Sequence, residues 1–275
     1  MKKLLCVVMA AVLIFSLCAC GESAPAKTLS TDYMDITGIY VDNSYDDGEN
    51  GKLGLLYIFY TVHTDAENLK VDSKSAKITV GDVNTYESNP IPGACKYAKN
   101  YYYSSYLEDV YAGDELKVVE TFKVAKGDLE PGKSITFDKY QVPDTEKLIF
   151  STDDIVLCEN AEEIAKNVDP EGYQMEVTAR EEADDATKKK VKNAINGYYF
   201  SFYVNPTSYK LEFISPNKFE LTALGNTNSG TYTVRNNYIF LKYHSNGYTV
   251  ELPYSFNSTG EIELDVVAAF DAREN

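Results

Sequence analysis

The side chains that most often carry out catalysis are scarce in this sequence. His63 and His244 are the only histidines, and they lie in opposite halves of the 275-residue chain. Each falls within a predicted strand, so a shared metal centre or catalytic pair would have to span two domains. The chain contains no phosphate-binding loop, zinc-protease motif, nucleophile elbow or dinucleotide-binding fingerprint. We therefore expect a protein that is not an enzyme, with no catalytic residues, no metal ligands and no cofactor.

Carboxylates are plentiful, as in the pairs Asp46-Asp47, Asp153-Asp154 and Asp184-Asp185. Neighbours in sequence point to opposite faces of a strand, whereas a glycosidase needs two carboxyl groups that face each other across the substrate. We interpret these pairs as solvated surface groups. A carboxylate-dependent hydrolase of wall polymers is the least favoured alternative.

The acidic loop from Asp42 to Asn50 offers many oxygen ligands, as the calcium loop of an EF-hand does. Started at Asp42, the EF-hand pattern puts Asp47 where glycine is required and Leu53 where a bidentate Glu is required. The loop is therefore no EF-hand, and an irregular calcium site stays open as the weaker alternative to a plain acidic loop.

A cluster of tyrosines, Tyr101, Tyr102, Tyr103 and Tyr106, is the most unusual local feature. Tyrosines on a loop can form a recognition surface, because they supply a large contact area with little rotamer entropy to lose. Tyrosines that alternate along a strand also pack well on a sheet. The cluster is thus a candidate binding surface or part of the core.

The N-terminus has the three zones of a secretory signal: Lys2 and Lys3, an apolar run from Leu4 to Leu17, and a small-residue end. The run is shorter than the roughly 20 apolar residues of a membrane-spanning helix. Leu17-Cys18-Ala19-Cys20 resembles the bacterial lipobox. The resemblance implies removal of residues 1–19, lipidation of Cys20 with palmitate-type chains, and anchoring to the outer face of the cytoplasmic membrane. Residues 20–32 would form the lipidated end and a flexible spacer.

Two cysteines, Cys95 and Cys158, remain after the predicted leader and the lipidated Cys20 are set aside. Two thiols are too few for a metal site. In an exported protein they could form one disulfide that closes a loop of about 60 residues. Buried free thiols that behave as small hydrophobic groups are the other alternative.

The charge excludes polyanionic partners. The formal net charge is −16, and the loss of Lys2 and Lys3 with the leader would make it −18. Nucleic acid and anionic lipid would both be repelled. We expect no nucleic-acid partner, and membrane contact through the lipid anchor only.

Residues 33–158 read as short strands with turns between them, which predicts an antiparallel β-sandwich. Leu53 to Thr64 is apolar on both faces and predicts a central strand, while Glu115 to Val124 alternates with Glu120 as its one exception. The segments KVAKGDLEPGKSITF and LIFSTDDI resemble the uncharacterised immunoglobulin-like domains of Gram-positive lipoproteins, over residues 33–157. That resemblance implies a fold and a location but no catalytic residues.

Residues 159–182 are predicted to be a linker with one short helix, which Asn160 and Glu163 start as a capping box and which ends near Asn167. Tyr173, Met175 and Val177 then alternate as in a strand.

Residues 183–275 are predicted to form a helix, from Asp184 or Asp185 to Asn196, and then six or seven strands in succession. Asn246-Gly247 predicts a hairpin. The order NGYYF, FEL, GTYTV and YIFL resembles small lipocalin-like domains, so we expect an antiparallel meander sheet or a small barrel.

The whole chain thus predicts a mainly β, two-domain surface lipoprotein. The leading hypothesis is a non-enzymatic binding or interaction module with an unknown protein or glycan partner. The alternative is a carrier that holds a small apolar ligand inside the C-terminal barrel, although bulky aromatic side chains are numerous enough to fill a barrel of that size.

Overall fold

The computed structural model describes residues 29–46, 51–65, 68–81, 83–89, 91, 93–104, 106–143, 147–204 and 206–270. Strands account for 48% of the structure and helices for 20%, so the mainly β prediction is confirmed. Two larger sheets and a two-stranded ladder form the N-terminal half, and a seven-stranded sheet forms the C-terminal half, with helices between the halves.

The elements are numbered in chain order. The strands of the N-terminal half are β1 (Leu29–Ser30), β2 (Met34–Asp42), β3 (Leu53–His63), β4 (Leu69–Val71), β5 (Ala76–Val80), β6 (Asn84–Glu87), β7 (Glu108–Val110), β8 (Glu115–Ala125), β9 (Ser134–Lys139), β10 (Leu148–Ser151) and β11 (Val156–Cys158). The α-helices are α1 (Ala161–Val168), α2 (Pro170–Arg180), α3 (Asp185–Ile195) and α4 (Val266–Phe270). The strands of the C-terminal half are β12 (Tyr199–Val204), β13 (Thr207–Ile214), β14 (Lys218–Ala223), β15 (Asn226–Val234), β16 (Tyr238–Tyr243), β17 (Thr249–Phe256) and β18 (Ile262–Leu264). Short 3₁₀ helices span Gly93–Lys96, Lys126–Leu129 and Thr152–Asp154.

The N-terminal half packs one sheet against another. The first sheet has the order β1-β2-β3-β8, with β11 beside β2 in the parallel direction, and the second has the order β10-β9-β5-β6. Strands β4 and β7 form a separate small ladder. The main core lies between the two sheets and draws apolar side chains from both.

Strand β3 is buried on both faces, as its continuous apolar sequence predicts. Ile58 and Tyr60 belong to the core between the sheets. Tyr57 and Phe59 point the other way, into a second core with the 3₁₀ helix at Gly93–Lys96 and helix α1. A helical layer therefore covers the face of the sandwich that lies nearest the linker.

In strand β8, Val118, Phe122 and Val124 are fully buried between the sheets, as the pattern predicts. The other face does not alternate with them in exposure, because Val119 and Thr121 are fully buried too. Glu120 shares the inner face with Val118 and is equally buried. It meets a cation there, because Nζ of Lys139 on β9 lies 2.8 Å from its Oε1.

The linker is more helical than predicted. Helix α1 starts where expected, and the Asn160 side chain accepts a hydrogen bond from the Glu163 amide at 3.0 Å. The strand predicted at Tyr173, Met175 and Val177 is wrong, because these residues lie in α2. Pro170 occupies the first turn of α2, where a missing N–H costs nothing and the fixed φ favours a helix. Helix α3 has the predicted start, with Asp184 as its N-cap, and ends at Ile195.

The seven C-terminal strands pair consecutively from β12 to β18, which confirms the antiparallel meander. Asn246 and Gly247 lie in the turn between β16 and β17, as the hairpin signal predicts. Within the described residues β12 and β18 share no ladder, so the sheet is curled but open. Helix α4 packs on β17 and β12, with the Phe270 ring 5.3 Å from the Phe202 ring.

Side chains on one face of this sheet form a closed core with helices α3 and α4. The buried residues there include Leu211, Phe213, Phe219, Tyr232, Leu241 and Leu252. They occupy the position in which a carrier would hold its ligand.

Candidate ligand-binding cleft

A cleft of about 560 Å³ lies between the sandwich and the C-terminal sheet. Its volume is within the usual range of small-molecule sites. The segment before β7, the end of α2, strands β16 and β17 and helix α4 all contribute to its walls. The side chains that line it include Cys95, Lys96, Lys99, Tyr101, Tyr103, Tyr106, Arg180, Tyr238, Tyr248, Glu251, Asp265 and Val267.

Three of the four tyrosines singled out from the sequence line this cleft. Tyr101 is the most buried of them: its hydroxyl lies 3.0 Å from Thr37 Oγ1, and its ring meets Phe59 edge-on at 5.0 Å. Tyr103 is half-buried, and Tyr106 is 52% exposed. The cluster is thus part core and part cleft surface.

Tyr102 has a different position. Its amide donates to Lys117 O at 2.7 Å and its carbonyl accepts from Val119 N at 3.1 Å, which adds it to the edge of β8 as an isolated bridge. Its hydroxyl donates to the carbonyl of Tyr106 at 2.8 Å. Tyr102 therefore holds the segment in place and does not line the cleft.

A buried carboxylate, Glu176 on α2, joins the two halves beside the cleft. Its side chain is 2% exposed and its Oε2 lies 3.1 Å from Nζ of Lys99, which comes from the N-terminal half. The Tyr238 hydroxyl, from the C-terminal sheet, donates to Oε1 at 2.9 Å. Arg180, one turn along the helix, donates through Nε to the same oxygen at 2.5 Å. Glu176 therefore has partners from three separate parts of the fold.

Arg180 extends this network across the cleft wall. Its Nη1 donates to Oε1 of Glu251 at 2.5 Å, and its guanidinium lies over the rings of Tyr97 and Tyr238 at 5.4 Å and 5.1 Å. Burial, followed by the Glu176 carboxylate, raises the pKa of Tyr238 above its ordinary value. The Tyr238 hydroxyl accordingly stays protonated and acts as a donor.

Asp169 fixes the Lys99 side of the cleft to the linker. It is the N-cap of α2 and accepts from the Gly172 amide at 3.1 Å. The same carboxylate accepts from the Asn100 amide at 2.8 Å and from Asn100 Nδ2 at 2.9 Å. Asp169 itself is buried, so these bonds are partly shielded from water, and they tie the tyrosine segment to the helix.

The sequence did not single out Lys99, Arg180, Tyr238 or Glu251. None of the four belongs to a recognisable motif in its own segment, and they come from parts of the chain that the fold alone brings together. The signal that could draw attention to Glu176 is an acid on the buried side of a helix, and the strand-like alternation of Tyr173, Met175 and Val177 hides it.

The two histidines lie in different environments. Nε2 of His63 lies 3.4 Å from Oδ2 of Asp35, and His244 is exposed in the turn after β16. In the part of the chain that the structure describes, no three His, Cys, Asp or Glu side chains are grouped to hold a metal ion.

The carboxylate pairs have local roles where they are described. Asp154 and Ser151 form a capping box for the 3₁₀ helix at Thr152–Asp154, and Asp184 caps α3. Oδ1 of Asp42 accepts from the amide and hydroxyl of Ser44 at 2.8 Å and 2.7 Å. Residues 47–50 of the acidic loop lie outside the described residues.

Cys95 and Cys158 are both free and buried, so the structure departs from the disulfide alternative. Each thiol faces neighbours of its own: Cys95 Sγ lies 3.9 Å from the carbonyl of Ile91, and Asn167 Nδ2 lies 3.8 Å from Cys158 Sγ. Burial raises the pKa of both thiols, in the case of Cys158 to about 11. Protonated thiols are poor nucleophiles, so we do not expect Cys95 to act as a nucleophile in the cleft.

The predicted leader and Cys20 lie outside the described residues. Among the residues that are described, no helix is long and apolar enough to cross a membrane.

Comparison with known proteins leaves the chain without a family. No family model matches it, and no curated protein is significantly similar. A solved structure that resembles it is the crystal structure of a functionally unknown protein from Listeria monocytogenes EGD-e, with a TM-score of 0.31 and 11% sequence identity. The match covers 47% of this chain and 82% of that chain.

Proposed function

We propose that this protein is a cell-surface lipoprotein that binds a glycan in the cleft between its two halves and carries out no catalysis. The observation that carries the proposal is the cleft itself, in which exposed tyrosine rings stand beside charged hydrogen-bonding groups. Its N-terminal half would be an immunoglobulin-like domain and its C-terminal sheet a lipocalin-like one. The lipid at Cys20 would hold both at the outer face of the cytoplasmic membrane.

A glycan fits the chemistry of this cleft. Tyr106 and Tyr248 are 52% and 62% exposed and offer ring faces on which a sugar can stack. Amphipathic rings of this kind bury a large area at low entropic cost, and their hydroxyls can bond to sugar hydroxyls. Lys96 and Asp265 supply further donors and acceptors on the lining.

The test measures the binding of soluble glycan fragments, prepared from cell-wall polysaccharide, to the full chain by calorimetry. We expect the double variant Tyr106→Ser, Tyr248→Ser to bind at least about tenfold more weakly, the equivalent of about 1.4 kcal/mol. The matched control is Tyr111→Ser, Tyr199→Ser, which removes two tyrosines that are 54% and 63% exposed and lie outside the cleft.

Equal affinities for the two double variants would contradict the cleft as the binding site. Absence of any heat with the unmodified protein across all wall fragments would contradict the glycan as its ligand. Both variants remove exposed side chains, so we expect both to keep the unfolding midpoint of the parent protein.

A further inference from the structure

The core of the sandwich contains a lysine with no contact with solvent. The side chain of Lys139 is 0% exposed, as is that of Glu120 on the opposite sheet. Burial of a charge is costly unless it is paired and hydrogen-bonded. Nζ of Lys139 lies 2.8 Å from Oε1 of Glu120 and 3.2 Å from Oδ1 of Asp72, and it also donates to the carbonyl of Asp72 at 2.7 Å. One fully buried amine is thus held between a fully buried carboxyl group and one that is 10% exposed.

Aromatic side chains pack around Glu120 and Lys139, and Ser88 and Gln141 supply further polar contacts to Glu120 and Asp72. The Tyr60 hydroxyl donates to Oε1 of Glu120 at 3.2 Å, and the Tyr60 ring lies 5.3 Å from that of Phe137. Water, which would hydrate the amine and reverse a condensation, is excluded by this packing. Burial raises the pKa of Glu120 to about 7, so this group can both accept and return a proton near neutral pH.

The carboxyl group of Asp72 is held by donors that suit acyl chemistry. Its Oδ1 accepts from the amides of Lys74 and Ser75 at 3.0 Å and 2.9 Å, and its Oδ2 accepts from the Ser75 hydroxyl at 2.9 Å. Two backbone N–H groups on one carboxyl oxygen are the arrangement that stabilises the oxyanion of a tetrahedral intermediate. They also make the carboxyl carbon more electrophilic.

We propose that Lys139 and Asp72 become joined by an amide bond between Nζ and Cγ, formed by the folded protein itself with Glu120 as its catalytic proton carrier. Glu120 takes a proton from Nζ and passes it to the carboxyl group of Asp72, and the neutral amine attacks Cγ. The tetrahedral intermediate has its oxyanion at Oδ1. Glu120 then moves a second proton from the nitrogen to the departing oxygen, which leaves as water.

The reaction balances without any co-reactant. An ammonium and a carboxylate become an amide and one water molecule, no electrons are exchanged, and Glu120 ends as it began. Condensation is unfavourable between free groups in water, but groups held in one place in a fold react with effective molarities of about 10⁵ M or more. The bond would connect the turn after β4 to the end of β9.

The experiment is peptide mapping of the full chain after denaturation and trypsin digestion. Without the bond, trypsin releases residues 71–74, 134–139 and 140–147 as separate peptides. With it, cleavage after Lys139 is blocked, and residues 71–74 and 134–147 appear as one branched peptide lighter than its two parts by the mass of one water. We expect the branched peptide in most of the purified protein. Recovery of the separate peptides alone would overturn the proposal, whatever the variants do.

Variants test the assigned roles. Glu120→Gln should leave the side chains of Lys139 and Asp72 unlinked. Glu115 is an exposed acid on the same strand, so Glu115→Gln should leave the linkage intact. Asp72→Asn should link with loss of ammonia in place of water, and Lys139→Arg should not link. An unlinked Glu120→Gln protein supports the role of Glu120 if the Asp72→Asn protein, made in the same way, is linked. Full linkage in Glu120→Gln would overturn that role.

Discussion

At the level of single residues, Glu176 joins the two halves through an ion pair with Lys99 on one side and a hydrogen bond from Tyr238 on the other. Lys99, Arg180 and Tyr238 all converge on it, and its side chain is almost completely buried. Hydrogen bonds to a buried charged group contribute about 1.5–3 kcal/mol each to stability, and removal of the charge leaves the cations without their common partner.

We therefore expect Glu176→Gln to lower the free energy of unfolding by about 2 kcal/mol. The measurement is urea denaturation followed by tyrosine fluorescence. Glu181→Gln, an exposed acid just beyond the same helix, is the control and should change stability by less than about 0.5 kcal/mol. Equal effects of the two substitutions would show that the network contributes nothing to the junction.

The buried thiols make a second prediction at this scale. Because burial raises the pKa of Cys158 to about 11 and that of Cys95 also above its ordinary value, neither thiolate forms to any extent in the folded protein at about pH 8. Iodoacetamide should leave both residues unmodified until denaturant is added, and should then modify both without a reductant. Peptide mass spectrometry distinguishes these two from the other cysteines. Failure of both to react in the unfolded, unreduced protein would show a disulfide.

At the level of elements, the regular periodic segments were the most predictable. Strand β3 is apolar on both faces and is central, and α3 begins at the acid that caps it. Helix α2 was missed because its hydrophobic positions are weakly periodic and it starts at Asp169-Pro170, which resembles a stop signal for α1. The same aspartate ends one helix and starts the next, and a single sequence does not distinguish those two roles.

Asp169 thus caps α2 through Gly172 and also holds the segment at Asn100. The contribution of the Asn100 bonds to stability can be measured apart from that of the cap. Asp184 caps α3 through the Thr187 amide and, within the described residues, accepts no hydrogen bond from another segment. Asp169 also accepts two hydrogen bonds from Asn100. We expect Asp184→Ala to cost about 1 kcal/mol, the usual value for a lost N-cap. Asp169→Ala should cost about 2 kcal/mol more, because the Asn100 amide is left unpaired at a partly buried site.

Chemical denaturation of the two variants checks this difference, and circular dichroism checks that the helices remain. A loss in Asp169→Ala no larger than that in Asp184→Ala would mean that the tether to Asn100 contributes nothing. In that case the tyrosine segment would be held by its bridge to β8 alone.

At the scale of the whole molecule, the sequence predicted a mainly β chain with a helical linker, and it drew attention to the tyrosines but not to the cleft that three of them line. The cleft has walls from segments more than 100 residues apart, and their meeting depends on how α2 docks on both halves. No local pattern encodes that docking. Glu120 is the contrary case, since its place as the one acid on an apolar face marked it in the sequence before its partner Lys139 was known.

The proposed lipid anchor leads to a prediction about the whole molecule. With residues 1–19 removed, the protein would carry a net charge of −18, so its surface would be repelled by the anionic headgroups of a bacterial membrane. Two acyl chains on Cys20, as proposed, would provide stable binding, at about 0.8 kcal/mol for each buried methylene, where a protein with this charge would otherwise leave the surface. We therefore expect Cys20→Ser to move the protein from the membrane fraction into the medium and to abolish labelling with palmitate.

The matched control is Cys18→Ser, which keeps a small residue at the middle of the recognition sequence. This variant should remain membrane-bound. Membrane retention of Cys20→Ser would show that something other than the lipid holds the protein there, and the binding module would then have to be placed at the surface by contacts of its own.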